Sequence, residues 1–355
     1  MKKTLILILF FFCAEIYSQD LLKVVVVGLS HDHAHGIMHE YKQKKIILLG
    51  IVETDQELIE RYQNSYNVPS NLFFSELKTL LKNTKPDAVL AYNPISEHID
   101  VARVSLPLKI PLMVEKPLAT TLKDAQEMAK LSRKNNTLLL TNFETTWYGS
   151  NQTLKDKVSL AGFGNIKKMI TKDGHQGPKE IGCSKEFLSW LTDPIKNGGG
   201  AIVDFGCYGA NLMTWLQNGK KPKAVTAVTR NFKPEIYPKV DDDATIILEY
   251  ENATGIIEAS WNWSYSIKDL EVFGENKSYH AANGNTLLEN KKATDAQAVE
   301  MKASYYSNYL VYLKNAIDGK TDTTNDLSSL ENNLIVVEIL QAAKKSAKTG
   351  KRIAL

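Results

Sequence analysis

Two apolar stretches near the start of the chain constrain its fold more than any other feature. The first, Leu22-Lys-Val-Val-Val-Val-Gly28, is rich in β-branched residues and stops at a glycine, which predicts a strand buried on both faces of a parallel sheet. A helical stretch follows, and a second apolar run, residues 46–53, ends in an acid at Glu53. Another helix is predicted from Gln56 to Tyr66. Strand, helix and strand in this order predict a βαβ unit and therefore an α/β fold.

The turn after the first strand is Gly28-Leu-Ser30-His31-Asp32-His33, which keeps the first glycine of the G-x-G-x-x-G pattern and lacks the later ones. In that pattern, backbone amides at a helix N-terminus approach a pyrophosphate, and we expect Ser30 and His31 to add donors. Glu53 follows twenty-five residues after Gly28. A carboxylate there binds ribose hydroxyls and disfavours a 2′-phosphate, which indicates NAD rather than NADP. The alternative is that Glu53 is a solvated strand end.

The next units place polar residues at the ends of further predicted strands. Residues 85–98 contain a strand, a turn broken by proline and a helix start, and residues 108–114 form a strand that delivers Glu115-Lys116-Pro117. A capping box at Thr121 starts another helix, and a short strand at 138–141 completes a doubly wound parallel sheet over residues 20–142. Ligands bind at the carboxyl ends of strands in such sheets. The candidates for cofactor contact here are Asn93, Pro94, His98, Glu115 and Lys116.

Four histidines near the first turn, His31, His33, His35 and His39, suggest a metal site as an alternative. Zinc sites normally draw their ligands from more than one element, whereas these histidines are close together in the sequence. We therefore predict no metal and interpret the histidines of this turn as donors to anions.

Three separated motifs resemble one known family. They are Asn93-Pro94 with His98, then Glu115-Lys116-Pro117, then Gly198-Gly-Gly-Ala-Ile-Val-Asp204-Phe-Gly206-Cys-Tyr208, and they resemble the family of glucose-fructose oxidoreductase, inositol dehydrogenase and the rhizopine-catabolism proteins (Gfo/Idh/MocA). The resemblance implies a Rossmann domain that binds NAD at residues 20–142. It also implies an α/β domain at 143–355, whose large, mostly antiparallel sheet binds substrate and forms a homo-oligomer.

The resemblance also implies roles for single residues. Lys116 corresponds to the family's lysine that contacts the substrate and the nicotinamide, and Asp204 matches the acid of the second motif. Tyr208 lies where many members have a catalytic histidine, and a tyrosine there resembles the variant found in glucose-fructose oxidoreductase. From spacing alone, Asp204 and Tyr208 are four apart and share one face if they lie on a helix. The alternatives are a core tyrosine and a carboxylate at a helix start.

The rest of the chain predicts a sheet domain. Strands are predicted at 166–172, 224–231, 244–249, 255–263 and 270–273, and closing helices at 305–317 and 330–347. His175, Trp261 and Trp263 lie where such a sheet faces a cleft, so we predict that His175 and Trp261 contact substrate. Aromatic faces suit the C–H surfaces of a sugar. The alternative is that the alternating tryptophans form one packed face of a strand.

Lys116 suits proton transfer in an oxidoreductase. Hydride transfer from a carbinol carbon requires a base for the hydroxyl proton, and a lysine beside a cationic nicotinamide in a desolvated site is expected to have a lowered pKa. Tyr208 would be a co-donor, with Asp204 orienting one of them. Our leading hypothesis is an oxidoreductase acting on a sugar or sugar derivative. A redox-neutral glycoside hydrolase or lyase with tightly bound NAD, and a nucleotide-binding protein without chemistry, are the alternatives.

The first nineteen residues predict a secretory signal peptide. Lys2-Lys3 precede an apolar run from Leu5 to Phe12 that is too short to span a membrane. We expect an exported, periplasmic protein with no stable membrane insertion after cleavage; an uncleaved anchor is the alternative. Cys183 and Cys207 then remain, and the sequence leaves their pairing open. A net charge of +3 without a basic block gives no reason to bind nucleic acid and favours a small-molecule carbohydrate partner.

Overall fold

The computed structural model of the protein describes residues 21–290, 296–300 and 308–355. The predicted signal peptide at 1–19 lies outside the described residues. Among the described helices, none combines the length and apolar character needed to cross a membrane.

The first half of the chain forms the predicted doubly wound parallel sheet. Six strands pair in the order β3-β2-β1-β4-β5-β6, and every pair is parallel. The strands are β1 (Leu22–Val27), β2 (Ile46–Val52), β3 (Phe73–Phe74), β4 (Ala88–Ala91), β5 (Leu112–Glu115) and β6 (Leu139–Asn142). The strand order reverses between β1 and β4, and in open α/β sheets this switch point opens a ligand crevice at the carboxyl ends of the strands.

Five helices cover the two faces of this sheet. They are α1 (Ala34–Lys42), α2 (Gln56–Tyr66), α3 (Leu77–Asn83), α4 (His98–Ser105) and α5 (Leu122–Asn135). The predicted capping at Thr121 is confirmed, because its side chain accepts a hydrogen bond from the amide of Asp124. Helix α5 ends at Asn136, which adopts a left-handed conformation that closes the helix.

The second half forms the large, mostly antiparallel sheet that the resemblance implies. Nine strands pair in the order β14-β13-β12-β11-β7-β10-β9-β8-β15, and only the β7–β10 pair is parallel among them. The strands are β7 (Ile166–Gly174), β8 (Ala224–Arg230), β9 (Asp243–Glu249), β10 (Thr254–Ser260), β11 (Ile267–Gly274), β12 (Ser278–Asn283), β13 (Thr286–Asn290), β14 (Ala296–Ala298) and β15 (Ile353–Ala354). The α/β fold prediction is therefore confirmed.

Helices connect this sheet to the first one. They are α6 (Gly149–Val158), α7 (Lys185–Leu191), α8 (Ala201–Asp204), α9 (Gly206–Leu216), α10 (Tyr309–Ile317) and α11 (Leu330–Thr349). Every residue of α9 is buried, and α11 packs against α9, β8 and α5. Helix α10 places Leu310, Tyr312 and Leu313 in the apolar core of the first sheet. Helices from the second half of the chain therefore pack against elements of both sheets.

Three predicted boundaries were wrong for local reasons. The strand predicted at 108–114 begins at Leu112, because Leu106–Leu108 forms a 3₁₀ turn and Lys109 is left-handed. The strand predicted at 255–263 ends at Ser260, which lies opposite the last residue of β7 and the first residue of β9. The helix predicted at 305–317 begins at Tyr309, capped by Asn308, and residues 305–307 lie outside the described residues. Cys183 and Cys207 are free thiols.

Candidate active site

The crevice at the switch point of the first sheet brings together several residues predicted to bind a cofactor. Gly28 has a φ of +78°, and a Cβ on it would lie 2.7 Å from the Asn93 Cβ, so only glycine fits between β1 and the turn after β4. The crevice has a volume of about 380 Å³. The predicted residues that line it are Gly28, Ser30, Glu53, Asn93 and Pro94. The turn after β1 therefore lines the crevice, as nucleotide binding at this turn would require.

Glu53 lies at the floor of this crevice, beside the turn after β1. One carboxylate oxygen accepts from the Leu29 amide at 2.9 Å, and the other accepts from the amides of Thr54 at 2.8 Å and Asp55 at 3.0 Å. These bonds fix a half-buried carboxylate where the second strand ends. Glu53 can accept one further hydrogen bond from a ribose hydroxyl, since each carboxylate oxygen has two lone pairs.

Two histidines predicted to contact the cofactor, His31 and His98, are buried and packed against protein groups, and their contact with a cofactor stays a prediction. The His31 ring packs against Phe187 and Trp190 with centroids 4.6 and 5.4 Å away, and burial lowers its pKa well below the usual value. The His98 ring is fully buried, and its Nδ1 lies 3.2 Å from the Leu118 carbonyl oxygen. Burial lowers the pKa of His98 to about 4, so its neutral ring donates to this carbonyl and braces the turn after Lys116.

Glu115 is also buried and bonded to protein groups, and its predicted cofactor contact stays a prediction. Its two oxygens meet His33 Nδ1 at 3.0 Å and Asn142 Nδ2 at 2.8 Å. Burial raises the pKa of Glu115, but the charge of His33 and its other partners outweigh this and leave that pKa below the usual value. In the described part of the chain, His31, His33 and Glu115 bring potential metal-ligand atoms within 4.8 Å of one another. The His33–Glu115 contact is itself a hydrogen bond that orders the start of the Glu115-Lys116-Pro117 turn.

The predicted catalytic residues Lys116 and Asp204 meet across the junction of the two sheets. Lys116 Nζ donates to Asp204 Oδ1 at 2.5 Å and to the Asp204 carbonyl at 3.1 Å, and both residues are buried. Burial lowers the pKa of Lys116, yet the Asp204 charge outweighs it and leaves the pKa above its usual value. Burial raises the pKa of Asp204, and Lys116 in turn brings it below its usual value. Both groups are therefore charged at neutral pH, and the expectation of a lowered Lys116 pKa was wrong for this pairing.

A helix break places Tyr208 beside this pair. The predicted single helix is interrupted at Phe205, because the Asp204 carbonyl accepts from Lys116 and the Tyr208 amide donates to the Phe205 carbonyl at 3.1 Å instead. The Tyr208 ring nevertheless faces Lys116, whose Nζ lies 5.1 Å from the ring centroid. Burial raises the pKa of the Tyr208 hydroxyl well above its usual value, so the phenol stays protonated.

The Trp261 ring is packed inside the protein, and its predicted contact with substrate stays a prediction. The side chain is fully buried, packs 4.9 Å from the Tyr237 ring, and donates from Nε1 to Asp204 Oδ2 at 3.0 Å. Asp204 is thus held by Lys116 on one oxygen and by Trp261 on the other. His175, the other predicted substrate residue, is half-buried and packs edge-on against Phe205 at 4.9 Å. Burial lowers the pKa of His175, which favours a neutral ring.

Lys268 is a site residue that sequence reasoning missed. It lies on β11, its Nζ is 4.8 Å from the Tyr208 ring centroid, and it forms an ion pair with Glu144. Lysines are common on the faces of strands, and no motif distinguishes this one. Lys268 reaches the site only because β11 pairs with β7 in the folded sheet, and the sequence does not show this pairing.

Replacing Gly28 with alanine is expected to weaken NAD binding at least tenfold. A Cβ at φ +78° is strained and collides with the Asn93 backbone, which pushes apart the turn that approaches the cofactor. Gly36→Ala is the matched control, since Gly36 lies in helix α1 with no atom within 4 Å of an added Cβ. Calorimetric titration with NAD measures both; equal affinities in the two variants would contradict this role of Gly28.

Replacing Trp261 with phenylalanine is expected to lower kcat by about tenfold while the protein stays folded. The substitution keeps most of the ring packing but removes a hydrogen bond to a charged carboxylate, which contributes about 1.5–3 kcal/mol. Asp204 then loses one of the two groups that orient it. Steady-state kinetics and a thermal melt separate the effects; an unchanged kcat would show that Lys116 alone fixes Asp204.

Comparison with known proteins agrees with this arrangement. Residues 22–143 match the model of the NAD-binding Rossmann fold of an oxidoreductase family, and residues 151–280 match the model of the GFO/IDH/MocA C-terminal domain. The chain belongs to the GFO/IDH/MocA oxidoreductase family. The family prediction is therefore confirmed, and the first half of the chain is an NAD-binding Rossmann domain of that family.

Individual members of the GFO/IDH/MocA family are distant from this chain. A trans-1,2-dihydrobenzene-1,2-diol dehydrogenase of Xenopus tropicalis is 26% identical over 208 residues, which cover 57% of this chain and 57% of that protein. A D-glucoside 3-dehydrogenase of Escherichia coli is 22% identical over 328 residues, 84% of this chain and 86% of that protein. The chain thus matches little more than half the length of the Xenopus relative.

A solved structure supports the fold over nearly the whole chain. An aldose-aldose oxidoreductase from Caulobacter crescentus, crystallised with glycerol, superposes with a TM-score of 0.79 at 19% identity. The superposition covers 94% of this chain and 100% of that chain. At this identity the likeness establishes the shared α/β architecture and does not assign a substrate.

Proposed function

We propose that the protein is an NAD-dependent oxidoreductase that acts on a hydroxyl group of a sugar or sugar derivative. The observation that carries this proposal is the buried Lys116–Asp204 pair, which lies where the nucleotide-binding sheet meets the second sheet. Two of the relatives act on diols or glucosides by name, which supports a hydroxyl-bearing substrate.

The residues of the site suit proton transfer at a carbinol. When bound, the nicotinamide supplies the acceptor for the hydride that leaves the carbinol carbon. Lys116 exchanges the hydroxyl proton, and Asp204 holds the Lys116 side chain through Oδ1 while Trp261 fixes Oδ2. The protonated Tyr208 hydroxyl is a second donor for the substrate oxygen.

The ion pair with Asp204 favours Lys116 as a proton donor over Lys116 as a base. Because Asp204 raises the pKa of Lys116, the ammonium form prevails at neutral pH and can donate a proton to a carbonyl oxygen during reduction. Alcohol oxidation requires the neutral amine, which a neighbouring cationic nicotinamide and a higher pH both favour. The oxidation rate should therefore rise with pH on the alkaline side.

Glu53 supports NAD over NADP as the cofactor. Its carboxylate accepts from three backbone amides at the end of β2, which leaves one acceptor position for a ribose hydroxyl. A 2′-phosphate at the same place would meet a negative charge. We therefore propose that Glu53→Ala reduces the preference for NAD, measured as the ratio of NAD and NADP affinities.

A redox-neutral glycosidase is the second candidate function. The similarity to a D-glucoside 3-dehydrogenase suggests oxidation at C3, which acidifies the C2–H bond. Loss of the C2 proton then allows the glycosidic C1–O bond to break, water adds at C1, and the hydride returns to C3. The predicted signal peptide supports this cycle, because an exported enzyme would retain a tightly bound cofactor more readily than it would exchange a free one.

We also propose that the mature protein is exported and forms a homo-oligomer through the outer face of the second sheet. That face carries exposed apolar side chains, including Val228, Ile247 and Phe273. Light scattering on the mature chain measures the subunit number, and Ile247→Lys is expected to lower it. A monomer in the unaltered protein would refute this proposal.

One experiment separates the two candidate functions. The mature chain is purified and denatured, the supernatant is assayed for NAD and NADH, and native protein is then incubated with glycosides. Steady NADH formation supports the dehydrogenase and excludes the redox-neutral cycle. Cofactor that survives purification, with glycoside cleavage and no net NADH, supports the glycosidase and excludes the dehydrogenase.

A further inference from the structure

Lys268 lies beside the Tyr208 ring and is paired with the more exposed Glu144. The ammonium of Lys268 lies 4.8 Å from the centroid of that ring, and Lys116 lies 5.1 Å from the same centroid. Lys268 is 23% exposed and Glu144 is 46% exposed, whereas Lys116 and Tyr208 are almost wholly buried. The pair is therefore the more solvent-accessible part of this cluster, next to the buried Lys116 and Tyr208.

The strand register explains why Lys268 points to this side. Lys268 on β11 is directly opposite Asp173 on β7, and Thr171, two residues earlier, faces helix α9 closely enough that a Cβ on Gly209 would lie 2.4 Å from its hydroxyl. Side chains of equal parity share one face of a strand. Lys268 and Asp173 thus face α9 and Tyr208, and Lys172 and Asp269 form the corresponding pair on the opposite face.

Each of the two lysines beside Tyr208 is paired with a carboxylate. Lys116 is paired with Asp204 and Lys268 with Glu144. Partial burial raises the pKa of Glu144, but Lys268 outweighs it and the carboxylate stays charged. Burial raises the pKa of Asp173 well above its usual value, so Asp173 is an uncharged acid at neutral pH. An anionic substrate would have to displace Glu144 from Lys268, whereas a hydroxyl can accept from Lys268 without breaking the ion pair.

We propose that Lys268 is a specificity-determining residue that binds a hydroxyl of an uncharged polyol beside Tyr208, and that Glu144 excludes anionic sugars from this position. The proposal rests on the proposed oxidoreductase function and names the substrate class of that site. It assigns Lys268 to substrate binding and leaves proton transfer to Lys116.

The test compares methyl β-D-glucopyranoside with methyl β-D-glucopyranosiduronate as probes, which differ in charge at C6. Turnover and equilibrium binding to the NAD-loaded protein are measured for each. We expect the unaltered protein to prefer the neutral glucoside, and Lys268→Met to raise its KM and dissociation constant about tenfold or more with kcat changed much less. Lys268→Arg should restore part of the affinity. Glu144→Gln should improve binding of the uronate relative to the glucoside.

Lys172→Met is the matched control, because Lys172 occupies the equivalent cross-strand position on the opposite face and has a similar partner in Asp269. It should leave both probes unaffected. Equal or better binding of the uronate by the unaltered protein, or an unchanged affinity in folded Lys268→Met, would overturn the proposal. Failure of the unaltered protein to bind NAD would instead contradict the proposed function, so the two failures are distinct.

Discussion

Replacing Lys116 with methionine is expected to lower kcat by about 10²- to 10⁴-fold while NAD still binds. The substitution removes the group that exchanges the hydroxyl proton, and positioned acid–base groups contribute rate factors of this size. The crevice residues proposed to contact the nucleotide, among them Gly28 and Glu53, are not altered. Steady-state kinetics give kcat, and calorimetric titration gives the NAD affinity.

Stability must be separated from catalysis in this variant. Removing one partner of a buried ion pair leaves Asp204 uncompensated and costs about 3–5 kcal/mol of unfolding free energy. The double variant Lys116→Met with Asp204→Asn removes both charges, so we expect it to regain much of that stability without regaining activity. Denaturant unfolding of both variants measures this. A folded single variant that retains more than a tenth of its kcat would refute the assignment of Lys116.

Replacing Asp204 with asparagine is expected to move the alkaline rise of the oxidation rate to lower pH by about one to three units. In the unaltered protein the Asp204 charge raises the pKa of Lys116, so the amine needed as base appears only at high pH. Removing an opposite charge in direct contact lowers a lysine pKa by a shift of this order. The profile of kcat/KM against pH, measured for alcohol oxidation, gives the shift.

Trp261→Phe is the control that separates charge from geometry. It disturbs the orientation of Asp204 but keeps its negative charge, so kcat should fall while the alkaline inflection stays in place. If Asp204→Asn leaves the inflection unchanged, or if Trp261→Phe shifts it by the same amount, the charge of Asp204 does not set the pKa of Lys116. Either outcome would reject the electrostatic account of the site.

Much of the fold was predictable because local pattern and topology agree. The β-branched run before Gly28 is a strand buried at the centre of a parallel sheet, and its sequence is apolar at nearly every position as such a strand requires. The end of α5 was predictable from Asn136, which tolerates the left-handed conformation. Strand ends were predicted less well, because pairing with neighbours decides them, as at Ser260.

The positions of the candidate site residues could also be predicted only in part. Gly28, Glu53 and Asn93 come to one crevice because they follow parallel strands, whose carboxyl ends meet at one edge. His98, Glu115 and Trp261 were placed in the right region, but their side chains point away from the crevice. Sequence position cannot fix this direction, since rotation about a few bonds turns the same residue from a ligand contact into a support.

The sequence by itself determined the doubly wound parallel sheet of the nucleotide-binding half and the family, and it singled out Lys116 and Asp204 as candidates. These follow from apolar periodicity and from motifs that are each contiguous in the chain. Only the tertiary structure decided that Lys116 and Asp204 form a charged pair, that Trp261 holds Asp204, and that Lys268 joins Tyr208. Those contacts join residues 57 to 88 positions apart, and the pKa values of the charged groups depend on burial and on charges brought close by folding.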